Sequence, residues 1–229
     1  SAVIGAAGAF NLSGLDGALT YTPAPVTDWS VTAANGSPFL GSTTATSTTG
    51  WTTQVSSYVD DGSTITGSFG FTFTLAGNAY TACYVSSNGL LSFGAGSVTT
   101  SPGPSTPSVP KLIFYGGDRS YRRVYTRGST YNGKKFFKIR WEGYNSYQNV
   151  AANTFIEITL FERLSSATNQ YVEVRLGNAV GPNSLRLASA SAYYAQVLYP
   201  EANKSYVFTG NATGTSWSAS EASSIDHSF

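Results

Sequence analysis

The residues that decide the fold run from 134 to 177: KKFFKIRWEGY (134–144), TFIEITLFERL (154–164) and QYVEVRLG (170–177). In the first segment Phe137, Ile139 and Trp141 fall on one side of an extended chain, and Lys138, Arg140 and Glu142 fall on the other. In the second, Ile156, Ile158 and Leu160 oppose Glu157; in the third, Val172, Val174 and Leu176 oppose Glu173 and Arg175. Alternation of this kind is the signature of β-strands with one face on a core and the other in water. The three segments predict strands with one face on the core and the other wet.

The same signal extends outward. SFGFTFTL (68–75), YTACYVSS (80–87) and GLLSFG (89–94) read as short strands. They are separated by turns at Ala76-Gly77-Asn78-Ala79 and Ser87-Asn88-Gly89, where Asn and Gly tolerate the positive φ of a tight hairpin. Four prolines between residues 101 and 110 forbid regular pairing there. KLIFYG (111–116), YRRVYTR (121–127) and SYVFTG (205–210) are again strand-like, and only LRLASASAYYAQVL (185–198) is arguable as a short helix. The expected architecture is all-β, an antiparallel β-sandwich of the jelly-roll kind over residues 58–229. Residues 1–57, rich in Ala, Gly, Ser and Thr, are expected to form an extended arm. Their Phe10, Leu12, Tyr21, Trp29 and Phe39 need burying, and a neighbouring subunit could do it, so homo-oligomerisation or anchoring to another structural protein is expected. A flexible linker is the alternative.

The 229 residues include only 25 charged ones, 13 Lys/Arg and 12 Asp/Glu, with 24 Gly and 59 Ser or Thr. No apolar run approaches the roughly 18 to 20 residues of a membrane span, so insertion in a bilayer is not expected. With no Met in the chain, Ser1 is expected to result from processing or to lie within a longer product. One cysteine, Cys83, and one histidine, His227, leave no set of Cys and His ligands for zinc. Any Ser-His or Cys-His catalysis would have to run through a residue three positions from the end. Four Asn-X-Ser/Thr sequons, at Asn11, Asn35, Asn203 and Asn211, are about as many as chance supplies in so Ser/Thr-rich a chain. No metal and no cofactor are expected.

Charge is uneven along the chain. Residues 1–110 hold four Asp and no base; residues 111–140 hold nine bases against Asp118; from Glu142 onward four bases meet seven acids. The sequence therefore predicts a dipolar molecule. Within the basic block Tyr121, Arg123, Tyr125 and Arg127 alternate on one strand face, and the turn GSTYNGK returns the chain through Lys134, Lys135, Lys138 and Arg140. Guanidinium forks pair with carboxylate or phosphate and tyrosine rings stack on sugars, so Tyr121, Arg123, Tyr125, Arg127, Lys138 and Arg140 form a candidate site for an anionic surface glycan. The alternative is that these cations pair across strands or subunits with Glu142, Glu157 and Glu173. Nucleic acid is not the expected partner, because the rest of the surface would repel phosphate. A glycosidase would need two carboxyls roughly 5 to 9.5 Å apart and free of arginine partners, for which Glu157 and Glu173 are the candidates. Asp60-Asp61-Gly62 reads as a turn, since two acids fall short of the six to eight oxygens calcium takes.

The order of motifs, DDG at 60–62, FGFTF at 69–73, YVSSNGLLSFG at 84–94, VYTR at 124–127, FFKIRWEGY at 136–144, NTFIEITLFE at 153–162 and QYVEVRLG at 170–177, resembles the nidogen-like extracellular β-sandwich domain over roughly residues 58–180. The chain departs from that pattern at FYGGDRSYRRVY (114–125), where the family has a tryptophan and acidic residues, so an acidic or metal-linked role of that loop is not carried over. The closing run SYVFTGNATGTSWS and the Met-free, Ser/Thr/Gly-rich style look like structural proteins of tailed bacteriophages. Both resemblances imply a binding or scaffolding module. The expected function is a non-enzymatic virion structural protein, a fibre, spike or capsid-decorating element. It would assemble with itself or other virion proteins and attach to host surface polysaccharide. The alternative is a secreted or cell-surface bacterial adhesin.

Overall fold

The computed structural model describes Trp29 and residues 31–33, 48–144, 153–177 and 184–225. Among them there are seventeen strands and no helix, and no helix long and apolar enough to cross a membrane. In chain order these are β1 (Val31–Ala33), β2 (Thr52–Val55), β3 (Val59–Asp60), β4 (Ser63–Ile65), β5 (Phe73–Leu75), β6 (Asn78–Tyr80), β7 (Tyr84–Ser86), β8 (Leu90–Ser92) and β9 (Lys111–Ile113). The long strands follow: β10 (Ser120–Tyr131), β11 (Lys134–Tyr144), β12 (Asn153–Phe161), β13 (Asn169–Leu176), β14 (Ser184–Ala188), β15 (Tyr193–Leu198), β16 (Ser205–Asn211) and β17 (Trp217–Ile225).

A nine-stranded sheet has the order β1-β17-β16-β13-β12-β11-β10-β2, with β3 also on β10. A six-stranded sheet has the order β15-β14-β9-β8-β7-β4, and β5 with β6 forms a separate hairpin. All pairings are antiparallel. One apolar core lies between the two larger sheets. The alternating residues of the deciding stretch supply one wall, Phe137, Ile139 and Trp141 from β11, Ile156, Ile158 and Leu160 from β12, Val172, Val174 and Leu176 from β13. Leu91, Leu112, Leu185 and Leu187 supply the other. The sandwich expected from alternation is the fold observed.

The turns differ in detail. At β5–β6 the positive φ falls on Ala76 (54°) and Gly77 (78°), not on Asn78, which already opens β6. The strain at Ala76 is held by Gly214 O and Thr213 O, which accept from the amides of Ala76 and Gly77. The β10–β11 turn uses Asn132 (48°) and Gly133 (77°), the pairing that suits a two-residue hairpin. Residues 185–198, arguable as a helix, are instead β14 and β15. Leu185 and Leu187 both reach the core, a period-two pattern, and Ser189 Oγ turns the chain by accepting from the amides of Ser191 and Ala192.

Two further expectations change. The division at 57/58 falls inside the large sheet, because β1 pairs with β17 and β2 with β10. Trp29, 5% exposed, packs on Phe136 and Phe161 of its own chain, and its Nε1 donates to Glu162 O at 2.8 Å. Phe10, Leu12, Tyr21 and Phe39 lie outside the described residues. The outer face of the central strands is also not wet. Trp29, Phe136, Phe161, Tyr171 and Val207 make a second apolar cluster there, and Arg140 and Glu173 beside it are 0% exposed.

Candidate functional site

The basic hairpin β10–β11 carries the six residues predicted to bind an anionic ligand. Its register sets Arg123 opposite Glu142, Tyr125 opposite Arg140 and Arg127 opposite Lys138. Tyr121 does not join them. The register shifts between Tyr121 and Arg123, and this bulge turns the Tyr121 ring into the core beside Val124. One extra residue in a strand reverses the faces beyond it, which breaks the alternation read from the sequence.

Arg123, Tyr125, Arg127, Lys138 and Arg140 share the outer face; the first three are partly exposed, whereas Lys138 and Arg140 are buried and engaged within the chain. Arg140 Nε meets Glu142 Oε1 at 2.9 Å, its Nη1 meets Glu157 Oε1 at 3.1 Å, and its guanidinium lies 4.3 Å from the Phe155 ring centre. Arg175 Nε meets Glu173 Oε1 at 2.7 Å. Lys138, nearly buried, has its ammonium pushed down to about 8, first by burial and then by Arg175 and Arg127, against the pull of Glu157 and Glu173. Buried cations of this sort survive only where paired, and removing one partner of such a pair costs about 3–5 kcal/mol. The cross-strand pairing that the sequence offered as the alternative is therefore the arrangement of Arg140, and Lys138 lies within the field of Glu157 and Glu173.

Glu157 and Glu173 do not face each other. Glu157 stands opposite Arg175 and Glu173 opposite Thr159, and each carboxylate holds an arginine. This is not the pair of arginine-free carboxyls that glycosidic cleavage calls for. Cys83 is buried in the core, and burial pushes its thiol up to about 12, a condition in which the nucleophilic thiolate is not formed near neutrality. His227 lies outside the described residues.

The Ser86-Ser87-Asn88-Gly89 turn does more than reverse the chain. Asn88, 0% exposed, donates from Nδ2 to Asp61 Oδ1 at 3.2 Å and to Val98 O at 2.8 Å, and its Oδ1 accepts from the Arg119 amide at 2.8 Å. Ser87 Oγ accepts from the Gly62 amide, and Gly89 O accepts from the amides of Phe114, Tyr115 and Gly116. Three loops thus meet on four residues. Gly89 has φ 75°, and a Cβ there would stand 2.1 Å from Tyr115 Cβ, so only glycine fits.

This interlock brings Asp118 to Asp60 and Asp61, with carboxylate oxygens within 4.8 Å of one another, all three exposed. The convergence was missed in the sequence, although the FYGGDRSY loop held the needed acid. Three carboxylates supply fewer oxygens than the six to eight of a calcium site, so the grouping by itself assigns no ion.

A second unforeseen feature is Lys111. It lies on the outer face of the small sheet with 0% exposure, and its ammonium donates to Gly103 O at 3.1 Å and Pro104 O at 2.5 Å. Burial pushes it down to about 8. The proline-rich loop is thereby tied to β9, and Leu90 and Ile113 are buried on the face that points away from the core.

No curated protein and no solved structure matches the chain. A family described as NIDO related matches residues 28–215, a span that begins just before Trp29 and β1 and ends just before β17. That span takes in the Asn88 interlock, the paired charges of β10 to β13 and most of both sheets, and the chain belongs to this nidogen-related family.

Proposed function

We propose that the protein is a non-enzymatic structural and attachment module of an external surface. In the first reading that surface is a bacteriophage virion, with the chain serving as a fibre, spike or capsid-decorating element that assembles with itself or other virion proteins and holds host surface polysaccharide. The observation that carries the non-enzymatic part is the ion pairing of Glu157 and Glu173 to Arg140 and Arg175. The buried thiol of Cys83 points the same way. The virion setting rests on the Met-free, Ser/Thr/Gly-rich sequence and its closing run. A secreted or cell-surface adhesin is the second reading, favoured by the exposed aromatic rings of Tyr58, Tyr193 and Tyr199, which suit carbohydrate.

The test uses the full chain. Light scattering reads its assembly, fluorescent chain is applied to whole bacterial cells with and without periodate oxidation of their glycans, and polysaccharide length is followed in its presence. Self-assembly, cell binding lost on periodate treatment and unchanged polysaccharide length are expected. Shortening of the polysaccharide, or a monomer that ignores cells, would overturn the proposal.

A further inference from the structure

The six-stranded sheet has an outer face whose charge is unlike that of the large sheet. Its strands β4, β7, β8, β9, β14 and β15 contain no Asp or Glu; their only charged residues are Lys111 and Arg186. Lys111 is enclosed by backbone carbonyls beneath the proline loop. Arg186 remains. Leu185 and Leu187 on either side of it point into the core, so Arg186 points out.

Among the described residues Arg186 has no carboxylate partner. Its Nη1 donates to Tyr193 Oη at 3.2 Å, its guanidinium lies 5.3 Å from the Tyr193 ring centre, and its Nε is closed off from solvent without an acceptor. The protein therefore orients this guanidinium without saturating it. Tyr193 keeps 37% of its surface exposed, and Gln196, also exposed, is the residue directly across from Arg186 on β15. Directly opposed residues place their side chains side by side on one face. A fork, a ring and an amide are thus presented together at the edge of a sheet with no negative charge of its own.

We propose that this face of β14 and β15 binds a carboxylate-bearing saccharide. The terminal nitrogens of Arg186 take the carboxylate, the Tyr193 ring lies against the apolar face of the sugar, and the Gln196 amide reaches its hydroxyls. A neutral glycan would use the ring and the amide but leave the guanidinium unanswered. The proposal rests on the attachment reading and supplies its site and ligand class.

The test is calorimetric titration of the full chain with pentagalacturonate and with its fully methyl-esterified form, followed by Arg186→Gln, Tyr193→Leu and, as a control of equal charge change, Lys204→Gln. The acid is expected to bind at least about tenfold more tightly than the ester, and Arg186→Gln and Tyr193→Leu each to weaken it by about tenfold, with Lys204→Gln unchanged. Equal binding of acid and ester, a loss in Lys204→Gln matching that in Arg186→Gln, or no binding by the parent chain overturns it. Cell binding undiminished in Arg186→Gln would remove this site and leave the attachment reading standing. Pentagalacturonate binding through Arg186 by a chain that ignores cells would do the reverse.

Discussion

Replacing Asn88 by Ala tests whether the signature turn is a bend or an interlock. The substitution removes one buried amide and leaves two backbone groups without partners, Val98 O and the Arg119 amide, while exposed Asp61 can turn to water. Each orphaned group costs about 1–2 kcal/mol, so the expected loss is about 2–4 kcal/mol. For a chain of this size that is a fall in Tm of about 5–12 °C. Urea unfolding followed by tryptophan fluorescence gives the free energy, and hydrogen exchange at the Arg119 amide gives the location. Asn88→Asp sharpens the test. It keeps an acceptor for Arg119 but turns a carboxylate toward Asp61 and Val98 O, so near neutrality it is expected to be worse than Ala. As the pH falls it should recover part of that loss, because burial and the neighbouring carboxylate both favour protonation of the introduced carboxyl. A loss under about 1 kcal/mol in Asn88→Ala with unchanged exchange at Arg119, or an Asn88→Asp variant as stable as the parent at pH 7, would refute the interlock and return Asn88 to the role of a simple turn residue.

Three other outcomes are expected. Lys111 and Lys138 sit near 8 when folded against an ordinary 10.5, so between those values the unfolded chain binds more protons and stability rises with pH. Lys138 alone contributes about 1 kcal/mol between pH 8 and 9, a rise that Lys138→Met should remove from urea titrations. Above pH 9 Cys83 acts in the opposite sense, because its thiol ionises only when unfolded, and its labelling by a disulfide reagent should therefore follow global unfolding; fast labelling of the native chain would contradict its burial. Trp29→Ala removes the aromatic centre of the outer cluster, including its contact with the Lys134 ammonium at 4.4 Å, and should cost about 3–5 kcal/mol in thermal unfolding.

What the sequence made legible was period and punctuation. Phe137, Ile139 and Trp141 could be assigned to the core because a strand alternates whatever its neighbours do. The bulge between Tyr121 and Arg123 could not, since an inserted residue leaves composition and pattern almost untouched while reversing the face. The covering of the outer face was equally hidden. Alternation identifies the side opposite the core, but whether water or Trp29 lies over it is decided by a contact spanning 133 positions. Asn88 looked like a turn former because its partners, Asp61, Val98 and Arg119, are silent in the sequence until the loops converge.

Charge shows most clearly how far such a reading reaches. Along the chain the bases of residues 111–140 stand apart from the acids after Glu142, and from that separation a dipole is expected. Antiparallel pairing brings part of the two groups together. The β11–β12 register sets Arg140 against Glu157, β12–β13 sets Glu157 against Arg175, and the Lys138 ammonium feels both Glu157 and Glu173. Arg140 on a central strand thus meets acid on both sides, because register brings the later Glu157 onto its row. On the smaller sheet, whose strands carry no acid, one base stands on the outer face beside an edge strand with no carboxylate partner among the described residues. That is the position of Arg186, which drew no notice in the sequence because it stands alone there.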